Sequence, residues 1–385
     1  MEKNAEHLLI DSYISWMAQN DYADSTVKFH KQTLKIYFDF ISNNCLNIEE
    51  GFTFESLEMF KKIHPYKSKW YAVKRFSHYL FKKQIVQRPI TNIPFRVLPD
   101  EFEDYLLNYE KIFGITQPHI DNKRRVLYFF SQYFSKRKIK IKNLKIEIID
   151  DFLSQYNAGS PISTIKYRLA HLREFLRYLH MKGIIRKNLA LLITTPRIYH
   201  HTRPPKFLRS YEVKQLLKTL LYTTPREIRA SAFTHIACDL GLRIGEISKI
   251  SLDDISFKEQ EIKIPERKGK NPVTFPLPEG SVKAISAYLI GGRPETNNRA
   301  LFLRMSKPLK QISSTVVRKE IDRCMKRAKI EAKPSWLRNT YAQQLLENGA
   351  SIYEIKEMMG HESIETTKRY LSINIKHMRE ALFEE

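Results

Sequence analysis

Apolar side chains recur at helical spacing through the first half of the chain, and they do so in two parallel sets. Leu34, Tyr37, Phe38 and Ile41 follow one another at intervals of one to three along one stripe, and Val73, Phe76, Tyr79 and Leu80 form another. Such spacing gathers apolar groups on one face of an α-helix, whereas a strand would scatter them over both faces. A proline-marked break follows, around Arg88-Pro89 to Leu98-Pro99. The plan then repeats, with Leu127, Phe130 and Phe134 on one stripe and Leu169, Leu172, Leu176 and Leu179 on a later one. The segments also end alike: His78-Tyr79-Leu80-Phe81-Lys82-Lys83 parallels Arg177-Tyr178-Leu179-His180-Met181-Lys182 at an offset of 99 residues. This repetition predicts two copies of one small helical domain, over residues 1–95 and 96–196.

Residues 197–209 read as a basic linker. Thr195-Pro196-Arg197 to Arg203-Pro204-Pro205-Lys206 is rich in proline and cations, which suits extended chain. From Ser210 the pattern changes. Ser210 is placed as an N-cap before Leu216, Leu217 and Leu220, and a second helix is expected over 228–240, ended by Gly241. Glu261-Ile262-Lys263-Ile264 and Val273-Thr274-Phe275-Pro276-Leu277 read as strands joined by a turn with Lys268 and Gly269. Helices resume from about Ser314. The expected class is mainly α (α+β): helical domains, then a mostly helical domain with a small β-sheet over 210–385.

Composition narrows the partners. A formal charge of +23 and a pI near 9.7 favour polyanions, nucleic acid before anionic membrane. A run of cations, Lys136, Arg137, Lys138, Lys140 and Lys142, follows an aromatic stretch. A solvated face is the commoner explanation for such a run, but beside this net charge phosphate contact is at least as good a reading, with Arg203 and Lys270 added to the same set. The N-terminus is polar and no long apolar run occurs, so no signal peptide, no membrane segment and a cytoplasmic location are expected. Three scattered cysteines, Cys45, Cys238 and Cys324, imply neither a disulfide framework nor a zinc site and are expected to be buried thiols. Neither a phosphate-binding glycine loop nor a His-Glu-x-x-His motif is present, so no cofactor and no metal are expected.

Five short motifs in the last third carry chemistry. Gly241-Leu242-Arg243 with Glu246, then Lys268, then Ser335-Trp336-Leu337-Arg338, then Met359-Gly360-His361, and Tyr370 nine positions later occur in that order. The set resembles that of the tyrosine recombinase (phage integrase) family. The similarity covers about Lys206 to Glu385, and more weakly about Asp100 to Pro196, which is similar to that family's helical core-binding domain. The resemblance implies a site-specific DNA recombinase that cleaves and rejoins strands through a 3′-phosphotyrosyl intermediate, for integration, excision or transposition. It further implies catalytic Arg243, Lys268, Arg338, His361 and Tyr370, supporting Glu246 and Ser335, and no cofactor. Partners would be double-stranded DNA, with nucleoid association in a bacterium, and other protomers in a tetrameric synaptic assembly. The apolar stripe Ile375, Met378 and Leu382 in the tail would dock on a neighbour. The sequence departs from the pattern at Ser335, where the family carries histidine, and at Asn339, often histidine as well.

The residue types fit phosphodiester chemistry on their own terms. A tyrosine oxygen can keep the phosphate ester, so no ATP is needed to reseal the strand. Two arginines can clamp the oxygens on which charge gathers. Lys268 is the candidate acid for the departing 5′ oxygen, with Lys270 as the fallback, and His361 can bond the phosphate or take the tyrosine proton. Each residue has a plainer alternative: a core tyrosine, an Arg243–Glu246 helix pair, a turn lysine, a histidine at a helix end. A catalytically impaired DNA-binding protein of the same fold is the competing reading, and a monomeric relaxing topoisomerase a third.

Overall fold

The computed structural model describes residues 3–91, 96–114, 116–196, 205–265, 272–368 and 370. Helices α1 (Lys3–Gln19), α2 (Asp24–Asn43), α3 (Ile48–Gly51), α4 (Phe54–Ile63) and α5 (Lys67–Lys82) come first. α6 (Asp100–Phe113), α7 (Gln117–Arg137), α8 (Ile146–Asn157) and α9 (Ile162–Met181) follow. Contacts divide the described chain into two compact units, residues 33–196 and residues 3–32 with those from 205 on, so the division falls inside α2.

The expected stripes form the cores of the first unit. Tyr37 meets Phe60 edge-on at 4.8 Å, and its buried hydroxyl donates to the Gly51 carbonyl at 2.6 Å. Phe102 and Phe175 pack at 4.4 Å between α6 and α9. Inside this second cluster Lys123 is fully buried; its ammonium pairs with Glu174 and lies 3.8 Å from the centre of the Tyr109 ring. Burial would push the Glu174 carboxyl up, but the His171 ring and the Lys123 ammonium outweigh it and hold it down at about 2. A depressed carboxyl stabilises the fold above its unfolded value and ceases to do so as pH falls toward about 2.

The second unit supplies the platform for the site. Besides α1 and the start of α2, it contains α10 (Ser210–Lys218), α11 (Pro225–Leu240), α12 (Ile244–Lys249), β1 (Ile255–Ser256), β2 (Glu261–Ile264), β3 (Val273–Pro276), α13 (Glu279–Gly291), α14 (Ser314–Arg327), α15 (Ser335–Glu347) and α16 (Ile352–Met359). α11 is the central helix, packed against α13, α14 and α15. The sheet is antiparallel in the order β1-β2-β3, with Ile262 opposite Phe275 and both turned into the core. The two longer strands lie where alternation predicted them. β1, only two residues long, has too little pattern to be read from sequence.

Four expectations need correction. Helices resume with α13 (Glu279–Gly291), well before the expected Ser314. Arg209, not Ser210, occupies the cap position of α10, and its N–H is held by the Glu212 carboxylate at 2.7 Å. α11 starts at Pro225, three residues before the predicted 228, because Thr224 caps it and proline at the first position needs no N–H partner. Cys238 and Cys324 are buried, but Cys45 is exposed in a left-handed turn after α2, where a core position is not available.

One buried ion pair fixes α14 to α11. Glu320 receives Arg229 Nη2 at 2.7 Å and Arg226 Nε at 2.9 Å, and the Glu320 and Arg229 side chains are both almost fully buried. Removing one partner of such a pair strands a charge in a dry interior, at a cost of about 3–5 kcal/mol. Glu320→Ala should therefore lower the stability of the second unit by about 3–5 kcal/mol in denaturant unfolding. A loss of only a few tenths would show that water already reaches this pair.

Candidate active site

The site begins at the end of α11. Gly241 is left-handed (φ 57°), and a Cβ there would stand 2.5 Å from Cδ1 of Tyr341, so both the backbone and the space demand glycine. Two residues on, Arg243 occupies the cap position of α12. Glu246 serves it twice: Oε2 accepts the Arg243 backbone N–H and Oε1 accepts Nη1, both at 2.8 Å. The carboxylate is buried and the guanidinium about one-third exposed. The helix pair that sequence offered as a plainer explanation is therefore real, and it also aims the guanidinium.

Both arginines are tied to helix ends. Arg243 Nη2 donates to the Gly360 carbonyl at 3.0 Å. Arg338, on the first turn of α15, donates Nη1 to the Gly241 carbonyl at 2.8 Å and Nη2 to the Met359 carbonyl. The last carbonyls of a helix have no partner within it and carry the negative end of its dipole, so they make natural seats for guanidinium groups. The ends of α11 and α16 are thus stapled together by the two arginines of the predicted set.

The same turn delivers the histidine and the tyrosine. α16 opens with a capping box between Ser351 and Glu354 and stops at left-handed Gly360 (φ 60°), which turns the chain so that His361 follows directly. His361 is buried, and its Nδ1 shares a 2.8 Å hydrogen bond with Thr367 Oγ1. Residues 364–368 and 370 are helical and bring the Tyr370 ring into a small cluster with Ala342, Ile355 and Met359. That ring lies parallel to the His361 ring, 6.5 Å away and tilted by 5°. The Tyr370 hydroxyl donates to Asn339 Oδ1 at 3.0 Å, and Asn339 Nδ2 donates in turn to the Lys206 carbonyl at 2.8 Å.

Arg243, Arg338, His361 and Tyr370, with Glu246, are therefore brought together around residues 359–361. Ser335 is the first residue of α15, exposed and one turn before Arg338. Lys268, Lys270, Arg203 and the tail residues Ile375, Met378 and Leu382 lie outside the described residues. Two polar partners escaped sequence reasoning. Thr367 gave no signal beyond its place three residues before the tyrosine. Asn339 was visible only as a departure, and only folding shows that it faces Tyr370.

Among the predicted phosphate contacts, Lys136, Arg137, Lys138, Lys140 and Lys142 are all exposed. The intervening apolar residues turn inward: Ile139 and Ile141 are half-buried against the second helical core, and Leu144 is buried in it. Arg137 has local work as well, since it pairs with Asp151 at 2.8 Å and lies 4.0 Å over the Tyr133 ring. Among the described residues no His, Cys, Asp and Glu side chains cluster in a way that could hold a metal, and no helix is long and apolar enough to cross a membrane.

The phage integrase family model matches residues 206–377, the stretch that builds this site. The tyrosine recombinase XerC of Pelotomaculum thermopropionicum is 30% identical over 225 residues, covering 56% of this chain and 72% of its own length. The chain belongs to the tyrosine recombinase family. It is thus an enzyme of DNA strand breakage and rejoining. The recombinase is also similar to a putative integrase/recombinase of Sinorhizobium fredii, 27% identical over 290 residues, which span 73% of this chain and 70% of that one. Its fold is shared with XerH site-specific recombinase bound to a palindromic difH substrate (TM-score 0.60, 19% identity, 73% of this chain and 83% of that one). The same holds for a lambda integrase fragment bound to a core site (TM-score 0.54, 16% identity, 70% and 94%).

Proposed function

We propose that this recombinase cuts double-stranded DNA at a specific site by attack of the Tyr370 oxygen on a scissile phosphorus. The observation that carries the reading is the shared seating of Arg243, Arg338, His361 and Tyr370 around residues 359–361. In the first step an oxygen–phosphorus bond forms at the phenol and the bond to the 5′ oxygen breaks, leaving a 3′-phosphotyrosyl link. The phenol loses its proton and the 5′ oxygen gains one. Attack by a 5′ hydroxyl of another strand reverses both transfers, so the bond energy is kept and strands can be exchanged for integration, excision or transposition.

The residues divide the work. Arg243 and Arg338 bind the non-bridging oxygens, where negative charge gathers in the transition state. Glu246 positions Arg243. Lys268 protonates the departing oxygen, with Lys270 as the alternative. His361 bonds the phosphate or receives the phenol proton. The Asn339 oxygen orients the hydroxyl, but an amide oxygen cannot take up a proton near neutral pH. Lys136, Arg137, Lys138, Lys140, Lys142 and Arg203 are assigned to the DNA backbone. Residues 1–95, 96–196, 197–209 and 210–385 are proposed as two helical DNA-binding domains, a basic linker and the catalytic domain. Strand exchange involves two duplexes, and four protomers with tail contacts would supply one tyrosine for each scissile phosphate.

The test is a nicked suicide duplex, on which the protein should be trapped covalently and the linked residue mapped to Tyr370. One specific observation favours the second reading, a DNA-binding protein of impaired catalysis: Ser335, which cannot act as a base near neutral pH, stands exposed beside Arg338 in place of histidine. Ser335→His should preserve or raise the rate of adduct formation and change its pH profile near the imidazole range. Loss of cleavage in a stably folded Ser335→His protein would mean that the serine has a role of its own.

A further inference from the structure

The two helical stretches of the chain correspond in local detail. α2 and α7 are each followed by a non-glycine residue in the left-handed region, Cys45 (φ 53°) two residues past the helix and Lys138 (φ 54°) directly after it, an uncommon conformation for either type. The next N–H then reaches back identically, Leu46 to the Ile41 carbonyl and Ile139 to the Phe134 carbonyl, both at 3.1 Å. Each of these helices buries a basic residue at one point, His30 or Lys123, which meets a tyrosine of the preceding helix, Tyr13 at 3.1 Å or Tyr105 at 3.3 Å. α4 buries Leu57 and Phe60, and α8 buries Ile149 and Phe152 at the same spacing. α5 and α9 match at the constant offset of 99, through Phe76 and Phe175, Leu80 and Leu179, and left-handed Gln84 and Gly183.

Charge diverges in part between the copies: Lys67, Lys74 and His78 match Lys166, Arg173 and Arg177, but Arg75 and Lys82 have no cationic counterpart. Lys67, Tyr71, the adjacent Lys74 and Arg75, His78 and Lys82 recur about once per turn, so they share the outer face of α5. α5 contains no Asp or Glu, and from Phe54 to Lys83 eight Lys and Arg stand against two Glu, of which Glu58 pairs with Lys61. In α9 the position matching Arg75 is Glu174, which pairs with Lys123, and the one matching Lys82 is Met181. Two groups of this face are shifted, first by burial and then by neighbouring cations. Partial burial and Lys61 pull Lys74 below its ordinary value despite Glu58, and partial burial, Lys82 and Lys74 do the same to His78. Like charges held this close repel, and a polyanion relieves that repulsion.

We propose that the stretch from α1 to α5 is a second copy of the helical domain, and that the outer face of α5 lies against the backbone of duplex DNA. This rests on the DNA reading above and adds the surface on which the first domain binds. From Lys67 to Lys82 the face runs about 22 Å along the helix, enough to reach phosphates on both sides of a major groove about 12 Å wide. Tyr71, 70% exposed among these cations, offers a flat apolar ring to the sugars.

The test uses the full chain on a long duplex, with affinity measured against salt and the bound region mapped by hydroxyl-radical footprinting. Lys67→Gln/Lys74→Gln/Arg75→Gln/Lys82→Gln should flatten the log–log salt slope by about 3–4 and remove protection at one end of the footprint, since each phosphate contact contributes about 0.9 to that slope. Lys67→Gln/Lys82→Gln changes only exposed positions and should flatten the slope by about 2, which guards against misfolding of the fourfold variant. If the wild type bound no duplex, the DNA reading and this proposal would fall together. If the wild type bound while both variants kept its slope and footprint, only the assignment of α5 would be wrong, and its cations would face a protein partner instead.

Discussion

The Tyr370→Phe recombinase is expected to form no covalent adduct with a nicked suicide duplex and to bind that duplex as the wild type does. Phenylalanine keeps the ring that packs with Ala342, Ile355 and Met359, so the fold around the site stays filled. What disappears is the hydroxyl and its 3.0 Å hydrogen bond to Asn339, a loss of about 0.5–1.5 kcal/mol in stability. Chemistry loses everything, because without the oxygen there is no atom to bond to phosphorus. Gel-resolved adduct formation at saturating protein measures this directly. An adduct formed by the Phe variant would remove Tyr370 from the mechanism and point to another of the chain's tyrosines.

Arg243→Lys should slow adduct formation by about 10²–10³-fold, the effect of losing one preorganised donor at a developing oxyanion. The substitution keeps the charge but not the shape. Arg243 already uses one nitrogen on Glu246 and another on the Gly360 carbonyl, and its planar fork holds both at once. An ammonium is a point donor on a flexible stem and cannot reproduce that geometry around a phosphate. DNA affinity should change little, since one cation among many contacts is retained. A slowing of less than tenfold (about 1.4 kcal/mol) would mean that Arg243 is a structural staple between α12 and α16 and that Arg338 carries the clamp.

The two substitutions expose different layers of what could be read without coordinates. The residues proposed for the site could be singled out because phosphodiester chemistry needs few side-chain types and their order resembles that of the family, and helices and glycine turns leave local signatures. Gly241 and Gly360 were visible as ends of helical patterns, and both are left-handed helix stops. The stripes at Phe76 and Leu80, and at Phe175 and Leu179, were visible because burial on a helix has a period. Weak local signals were missed or misplaced: the two-residue β1, the cap of α10, and Cys45, whose exposure depends on a turn that composition does not reveal.

By itself, then, the sequence determined a mainly helical chain, two similar helical stretches, and a set of residues fit to hold and attack a phosphate. Tertiary structure alone decided which groups meet. Arg243 and Gly360 are far apart along the chain, as are Arg338 and Gly241, and so are Asn339 and Lys206, yet each pair is joined by a hydrogen bond of 3.0 Å or less. The physical reason is that spacing along a chain reports only neighbours within a helical turn or a strand pair. Contacts at long separation arise when helices pack, here α15 against both α11 and α16, and the terminal carbonyls of α11 and α16, left without partners inside their helices, are then within reach of the arginines.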